Sequence, residues 1–168
     1  MITDIRLAGQ QLAAPRFDTP KKLVSWMGAI QAQDYAMARW AVGIRLKSAT
    51  ARSVGEAFSR GEILRTHVMR PTWHLVAAED IRWMLKLSAR RIRSANESLA
   101  KGRQLELTEQ LHYRCDRLLE KMLEGNRNLT KQQIGEELNR QGIAADTPRL
   151  TRLLMRAETE AVVCSGPF

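Results

Sequence analysis

In a chain otherwise patterned for helices, one stretch stands apart: ILRTHVM, a break at Arg70-Pro71-Thr72, then WHLVA. Both runs are rich in residues that suit a pleated, half-buried strand, and both are short. Pro71 has no N–H to give to a sheet ladder, so its place is the tip of a hairpin between them. A fold for this chain must therefore set one small hairpin among helices.

The helices before it have recognisable starts. Thr3 reads as the cap of a first helix running to about Ala14, where Pro15 stops it. Thr19-Pro20 is an N-cap followed by proline at the first helical position. Leu23, Trp26, Met27 and Ile30 then fall on one face, and Met37, Trp40, Ala41 and Ile44 repeat the spacing in a third helix. A short helix around Val54, Ala57 and Phe58 ends at Gly61. Helices followed by a β-hairpin is the order of a winged helix-turn-helix domain.

The order recurs after the hairpin. The longest helical pattern runs from Glu79 to about Leu99, and Leu111, Cys115, Leu118, Leu119 and Met122 mark another. Thr130 with Gln133 forms a capping box, and Leu129 can staple onto Ile134. Thr147-Pro148 opens a last helix with Leu150, Leu153, Leu154 and Ala157 inward, and Ala161-Val162-Val163 reads as a wing strand. The expected fold is mainly α with small β-hairpin wings, in tandem winged helix-turn-helix domains. Residues 1–78 form the first, 79–104 a long basic connecting helix, and 105–168 the second. Its wing is incomplete, because the sequence stops where a turn would begin, which points to a truncated chain.

Charge narrows the partners. Of 168 residues, 27 are Lys or Arg and 18 are Asp or Glu, a formal net charge of +9 that favours a polyanion. Nucleic acid is the commonest such partner; an anionic membrane surface, or plain solubility, also fits. Two cysteines without C-x-x-C spacing and three histidines make a metal site unexpected, and no cofactor is implied. No apolar run reaches membrane-spanning length, and no leader is visible after Met1. A reducing cytoplasm and a single-chain state are expected.

Two basic faces are candidates for DNA. Arg149, Arg152 and Arg156 lie outward on the last helix of the second helix-turn-helix, where Arg can reach phosphates or base edges. Arg82, Lys86, Arg90 and Arg93, with Arg91 beside them, belong to a stretch (81–103) with seven basic residues and one acidic. Such a face can follow a phosphate backbone, or serve only to keep a helix solvated. His67 and His74 flank the hairpin tip as hydrogen-bonded groups. The four tryptophans fit core positions, with Trp73 at the tip the exception.

Gln31 and Gln33, in GAIQAQDYA, have no such obvious task. Two residues apart on a continuous helix point nearly opposite ways, whereas in an extended segment they share a face. If the two act together, the helix must break here, with Asp34 capping the next one. The other reading is that they cap helix ends or bridge backbone groups.

The pair IQAQD and LRTHVMRPTWHLVAAED together resemble the winged-helix DNA glycosylase family of the AlkZ type, over essentially the whole chain. That family has three tandem winged helices and a C-terminal β-rich domain, so this chain is similar to its N-terminal part. Gln31, Ala32 and Gln33 match the double-glutamine form of its catalytic signature, which implies catalytic roles for Gln31 and Gln33, with Asp34 giving electrostatic support. The hairpin with Arg65, His67, Arg70, Thr72 and His74 resembles the family's first wing and implies DNA contact there.

The resemblance implies a DNA repair glycosylase that hydrolyses the N-glycosidic bond of alkylated purines or unhooks interstrand crosslinks in double-stranded DNA. Neutral amides suit that chemistry. A purine alkylated at N7 or N3 already carries positive charge and departs without protonation, so the general acid of ordinary glycoside hydrolysis is dispensable. A glutamine carbonyl can still hold an attacking water, and its dipole can face positive charge developing on the sugar. The alternative is a winged-helix DNA-binding protein without catalysis, such as a transcription regulator.

Overall fold

A computed structural model describes residues 1–167 as eight helices and three short strands. The helices are α1 (Ile2–Gly9), α2 (Pro20–Met27), α3 (Tyr35–Gly43), α4 (Ala51–Ser59), α5 (Ile81–Gly102), α6 (Glu109–Leu123), α7 (Lys131–Arg140) and α8 (Thr147–Thr159). The strands are β1 (Ile30–Gln31), β2 (Ile63–His67) and β3 (Trp73–Ala77), ordered β1-β3-β2 in one sheet. Mostly helical with one small sheet, the chain has a winged-helix-like fold.

The residues fall into two compact units. One holds Met1–Thr66, Thr72–Ile81 and the tail from Ser165; the other holds His67–Pro71 and Arg82–Cys164.

In the first unit, α2, α3, α4 and the sheet enclose a core of Leu23, Val24, Ala38, Val42, Val54, Ala57, Phe58, Ile63 and Leu75. Thr19 caps α2 by accepting from the Lys22 N–H, with Pro20 at the first helical position, as its sequence predicts. Thr50 and Ser53 form a reciprocal capping box on α4. Tyr35 meets Phe58 edge to face, with ring centroids 5.2 Å apart.

Two expectations fail in this unit. Helix α1 starts one residue before Thr3, which does not cap it, and ends at Gly9 rather than near Ala14. The reason is Gln11: buried at a positive φ of 57°, it donates from its side chain to Ala8 O and accepts from the Arg16 N–H. The helix end is thus closed by a side chain, and the chain turns away early. In α3, the face assigned to the core is outside: Met37 is 59% and Trp40 60% exposed, while Ala38 and Val42 are buried. Trp26 and Trp83 are also about half exposed, so the core assignment of the tryptophans is corrected for three of the four. Nearly every residue of α3 is apolar, so spacing alone cannot select its buried side. The small side chains won because they let α3 approach α2 and α4 closely.

The second unit packs α6, α7 and α8 around Cys115, Leu119, Ile134, Leu138, Ile143, Leu150, Leu153 and Ala157. Thr130 and Gln133 form the expected capping box, and Leu129 packs on this core beside Ile134. Asp146, one residue before the expected start, caps α8 by accepting from the Arg149 N–H. The strand expected at Ala161-Val162-Val163 is not formed: Val162 and Val163 pack against the helical core instead. A strand needs a hydrogen-bonded neighbour, and none is present for it among the described residues.

Candidate functional site

The glutamine segment owes its shape to a helix that is stopped early. Gly28 ends α2 at φ 75°, a conformation a residue with a Cβ adopts only under strain. The chain then extends into β1, which pairs antiparallel with β3 so that Ile30 faces Leu75 and Gln31 faces His74. Asp34 caps α3, its Oδ1 accepting from the Met37 N–H at 2.9 Å. β1 itself is only Ile30–Gln31; the pleat continues to Ala32, whose N–H still bonds to Trp73 O, and the chain bends at Gln33 and Asp34.

That pleat decides where the side chains go. Ala32 is 1% exposed and sits in the core, while Gln31 and Gln33 on either side of it are exposed. Of the three, only Ala32 turns to the core; Gln31 lies in β1 and Gln33 at the bend that follows, both away from it. Directly opposed residues of an antiparallel pair share a face, which puts His74 with Gln31. His74 is buried, and its Nδ1 lies 2.9 Å from Thr72 O, so Nδ1 carries the proton and donates to that carbonyl.

The two amides differ in their bonds. Gln33 Oε1 accepts the Trp73 N–H at 2.7 Å. Gln31 makes no side-chain hydrogen bond among the described residues. Around them, Ala32 N–H donates to Trp73 O at 2.7 Å. Arg65 donates from Nε to Ala32 O at 2.9 Å and from its terminal nitrogen to Gln33 O at 3.1 Å, with its guanidinium 4.4 Å from the centre of the Trp73 ring. Thr72 Oγ1 is buried without a partner among the described residues.

The first unit therefore brings together Gln31, Gln33, Asp34, Arg65, Thr72 and His74. His67 and Arg70 belong to the second unit. There His67 is buried, its Nδ1 2.5 Å from Glu158 Oε2. The exposed hairpin tip carries Met69 at φ 63°, its N–H donating to Ser88 Oγ at 2.8 Å, and then Arg70.

The two basic faces fare differently. On α5, Arg82, Lys86 and Arg90 are exposed at successive turns, and with Arg91 they carry no ion pair among the described residues. Arg93 lies 3.1 Å from Glu160 Oε1. On α8, Arg156 is only 13% exposed, held by both oxygens of Glu109 at 3.0 and 2.9 Å and by Glu160 at 2.8 Å. Arg149 donates to Glu106 O at 3.2 Å, and the Arg152 guanidinium, half-buried, has its pKa lowered by that burial. Beneath α8, Asn96 donates to Arg152 O at 2.9 Å.

Sequence reasoning missed the Trp73 N–H and Glu158. A backbone donor leaves no mark in a residue pattern, and Glu158 sits beside apolar positions that gave no hint of its histidine. Among the described residues no group of three or more His, Cys, Asp or Glu side chains could hold a metal ion, and no helix is long and apolar enough to cross a membrane.

The model of the family described as DNA glycosylase AlkZ-like matches residues 24–168, and the chain belongs to that family. Its fold is similar to that of the solved Streptomyces sahachiroi DNA glycosylase AlkZ, with a TM-score of 0.74 over 96% of this chain at 20% identity. The chain spans 44% of that protein. No curated protein matches it.

Proposed function

We propose that this chain carries the glutamine-bearing part of a DNA repair glycosylase acting on the N-glycosidic bond of cationic alkylated purines, including those in interstrand crosslinks. The observation that carries this reading is the burial of Ala32 between two exposed amides. Gln31, without a bonding partner, holds the attacking water through its carbonyl oxygen. Gln33, oriented by Trp73, keeps one acceptor lone pair and two N–H donors for the same water or the sugar. Asp34 spends one oxygen on the α3 cap and adds negative potential where an oxocarbenium-like centre would form.

Arg82, Lys86 and Arg90 follow the phosphate backbone in this reading, and Arg70 and Thr72 of the hairpin, with His67 and His74 beside them, approach the duplex. Residues 1–78, 79–104 and 105–168 act as wing-bearing domain, connecting helix and second domain, in a cytoplasmic, monomeric protein. The test is release of N7-methylguanine from duplex DNA by the wild-type chain and by a variant with Gln31→Ala and Gln33→Ala. Release that survives both substitutions removes the glutamines from the chemistry.

A second reading, a DNA-binding protein without catalysis, is favoured by the unpaired basic face of α5. It expects sequence-selective binding to intact DNA and no base release.

A further inference from the structure

The β1–β3 register places Ala32 opposite Trp73, one step beyond the Gln31–His74 pair. In an antiparallel ladder a hydrogen-bonded pair exchanges two bonds, each residue giving its N–H to the other's carbonyl. Here Ala32 N–H reaches Trp73 O. Ala32 O is taken by Arg65 Nε, and the Trp73 N–H goes to the side chain of Gln33. One rung of the sheet has been replaced by a side-chain rung.

We infer that Arg65 is a positioning residue for Gln33 rather than a DNA contact: by occupying Ala32 O it diverts the Trp73 N–H onto Gln33 Oε1 and so fixes that amide. The direction of approach agrees. Ile63 faces the core, and Arg65, two residues on in β2, shares its face, as does Trp73, which packs on the same core. Gln31 and His74 belong to the opposite face. The guanidinium thus grips the segment from behind, its fork spent on two carbonyls and its plane on the Trp73 ring. Lysine has neither the fork nor the plane.

The inference deepens the glycosylase reading, on which it rests for its effect on base release, but its central claim is a coupling that can be measured without activity. Amide exchange at Trp73 is followed in the whole chain with Gln33→Ala, Arg65→Met and both. Gln33→Ala is expected to speed Trp73 exchange about fivefold, the loss of one hydrogen bond, in the wild-type background. With Arg65→Met it changes nothing, because the Trp73 N–H has returned to Ala32 O. Arg65→Lys, which keeps the charge, behaves like Arg65→Met and serves if the latter fails to fold.

An equal effect of Gln33→Ala in both backgrounds overturns the inference. So does a fall of about one in the salt dependence of DNA binding on Arg65→Met, which would make Arg65 a phosphate ligand. Base release from N7-methylated DNA is expected to drop about tenfold in Arg65→Lys with DNA affinity unchanged; full release with normal affinity also overturns it. A wild-type chain that releases no base refutes the glycosylase reading, and the exchange experiment then still decides the role of Arg65.

Discussion

The backbone N–H of Trp73 donates to the side-chain oxygen of Gln33, 40 positions earlier in the chain, at 2.7 Å. A sheet bond that would ordinarily join two backbones joins a backbone to an amide side chain. The orientation of Gln33 is therefore a property of the sheet, whereas the Gln31 side chain has no such tie among the described residues. Unequal consequences of changing the two follow from this.

Gln31→Ala is expected to reduce base release from N7-methylguanine DNA about a hundredfold with no change in the midpoint of urea unfolding, since it breaks no bond in the protein. Gln33→Ala should lower both, the stability by about 1 kcal/mol. Single-turnover kinetics and equilibrium unfolding check the pair.

Truncating Arg82, Lys86 and Arg90 to Ala is expected to weaken DNA binding irrespective of sequence and to shallow the dependence of log K on log salt by about 0.9 for each phosphate that is no longer neutralised. Arg156→Ala has a different expected outcome. Its guanidinium already belongs to Glu109 and Glu160, so the loss should show in stability and leave the salt slope unchanged. A titration at several salt concentrations separates the two.

Ala32→Leu should destabilise the first unit by about 1–3 kcal/mol, because Ala32 has no room beneath it in a packed core. Ala32→Gly leaves the space and should cost less. Thermal and urea unfolding of both variants test the packing.

His67→Ala leaves Glu158 buried without its imidazole partner, and the expected cost is about 3 kcal/mol. His67→Ala combined with Glu158→Leu should recover much of that loss, since no unpaired charge remains. The double-mutant cycle is read from unfolding midpoints.

Asp116 provides a pH test. Burial, opposed by Arg156 and reinforced by Glu160, Glu120 and Glu109, pushes its carboxyl up to about 6. A carboxyl with a raised folded pKa stabilises fully below its unfolded value, and that contribution is lost as pH rises through about 6. Asp116→Asn should therefore match wild type near pH 3.5 and exceed it above about pH 6, by on the order of 1 kcal/mol after screening. Unfolding free energies across that range give the difference.

Much of this was legible in residue order. The hairpin around Pro71, the caps at Thr19, Asp34 and Thr130, and the break between α2 and α3 that carries the two glutamines are local, and local chemistry decides them. What escaped depends on which distant surfaces meet. Apart from Arg39 the α3 sequence is almost wholly apolar, so only packing could choose Ala38 and Val42 over Met37 and Trp40. The pairing of His67 with Glu158 spans 91 positions, and neither neighbourhood signals the other. Arg65 reads in sequence as one more cation for DNA, and its bonds to the Ala32 and Gln33 carbonyls, 33 and 32 positions away, leave no mark there.

The buried methyl of Ala32 has a last consequence. With that one group anchored below, the spacing of the flanking residues is set by the backbone and not by their side chains. Substitution at 31 or 33 exchanges the functional group while the gauge between the two positions stays constant. Such a segment can trade one side-chain head for another without being rebuilt, provided its small central foot remains planted.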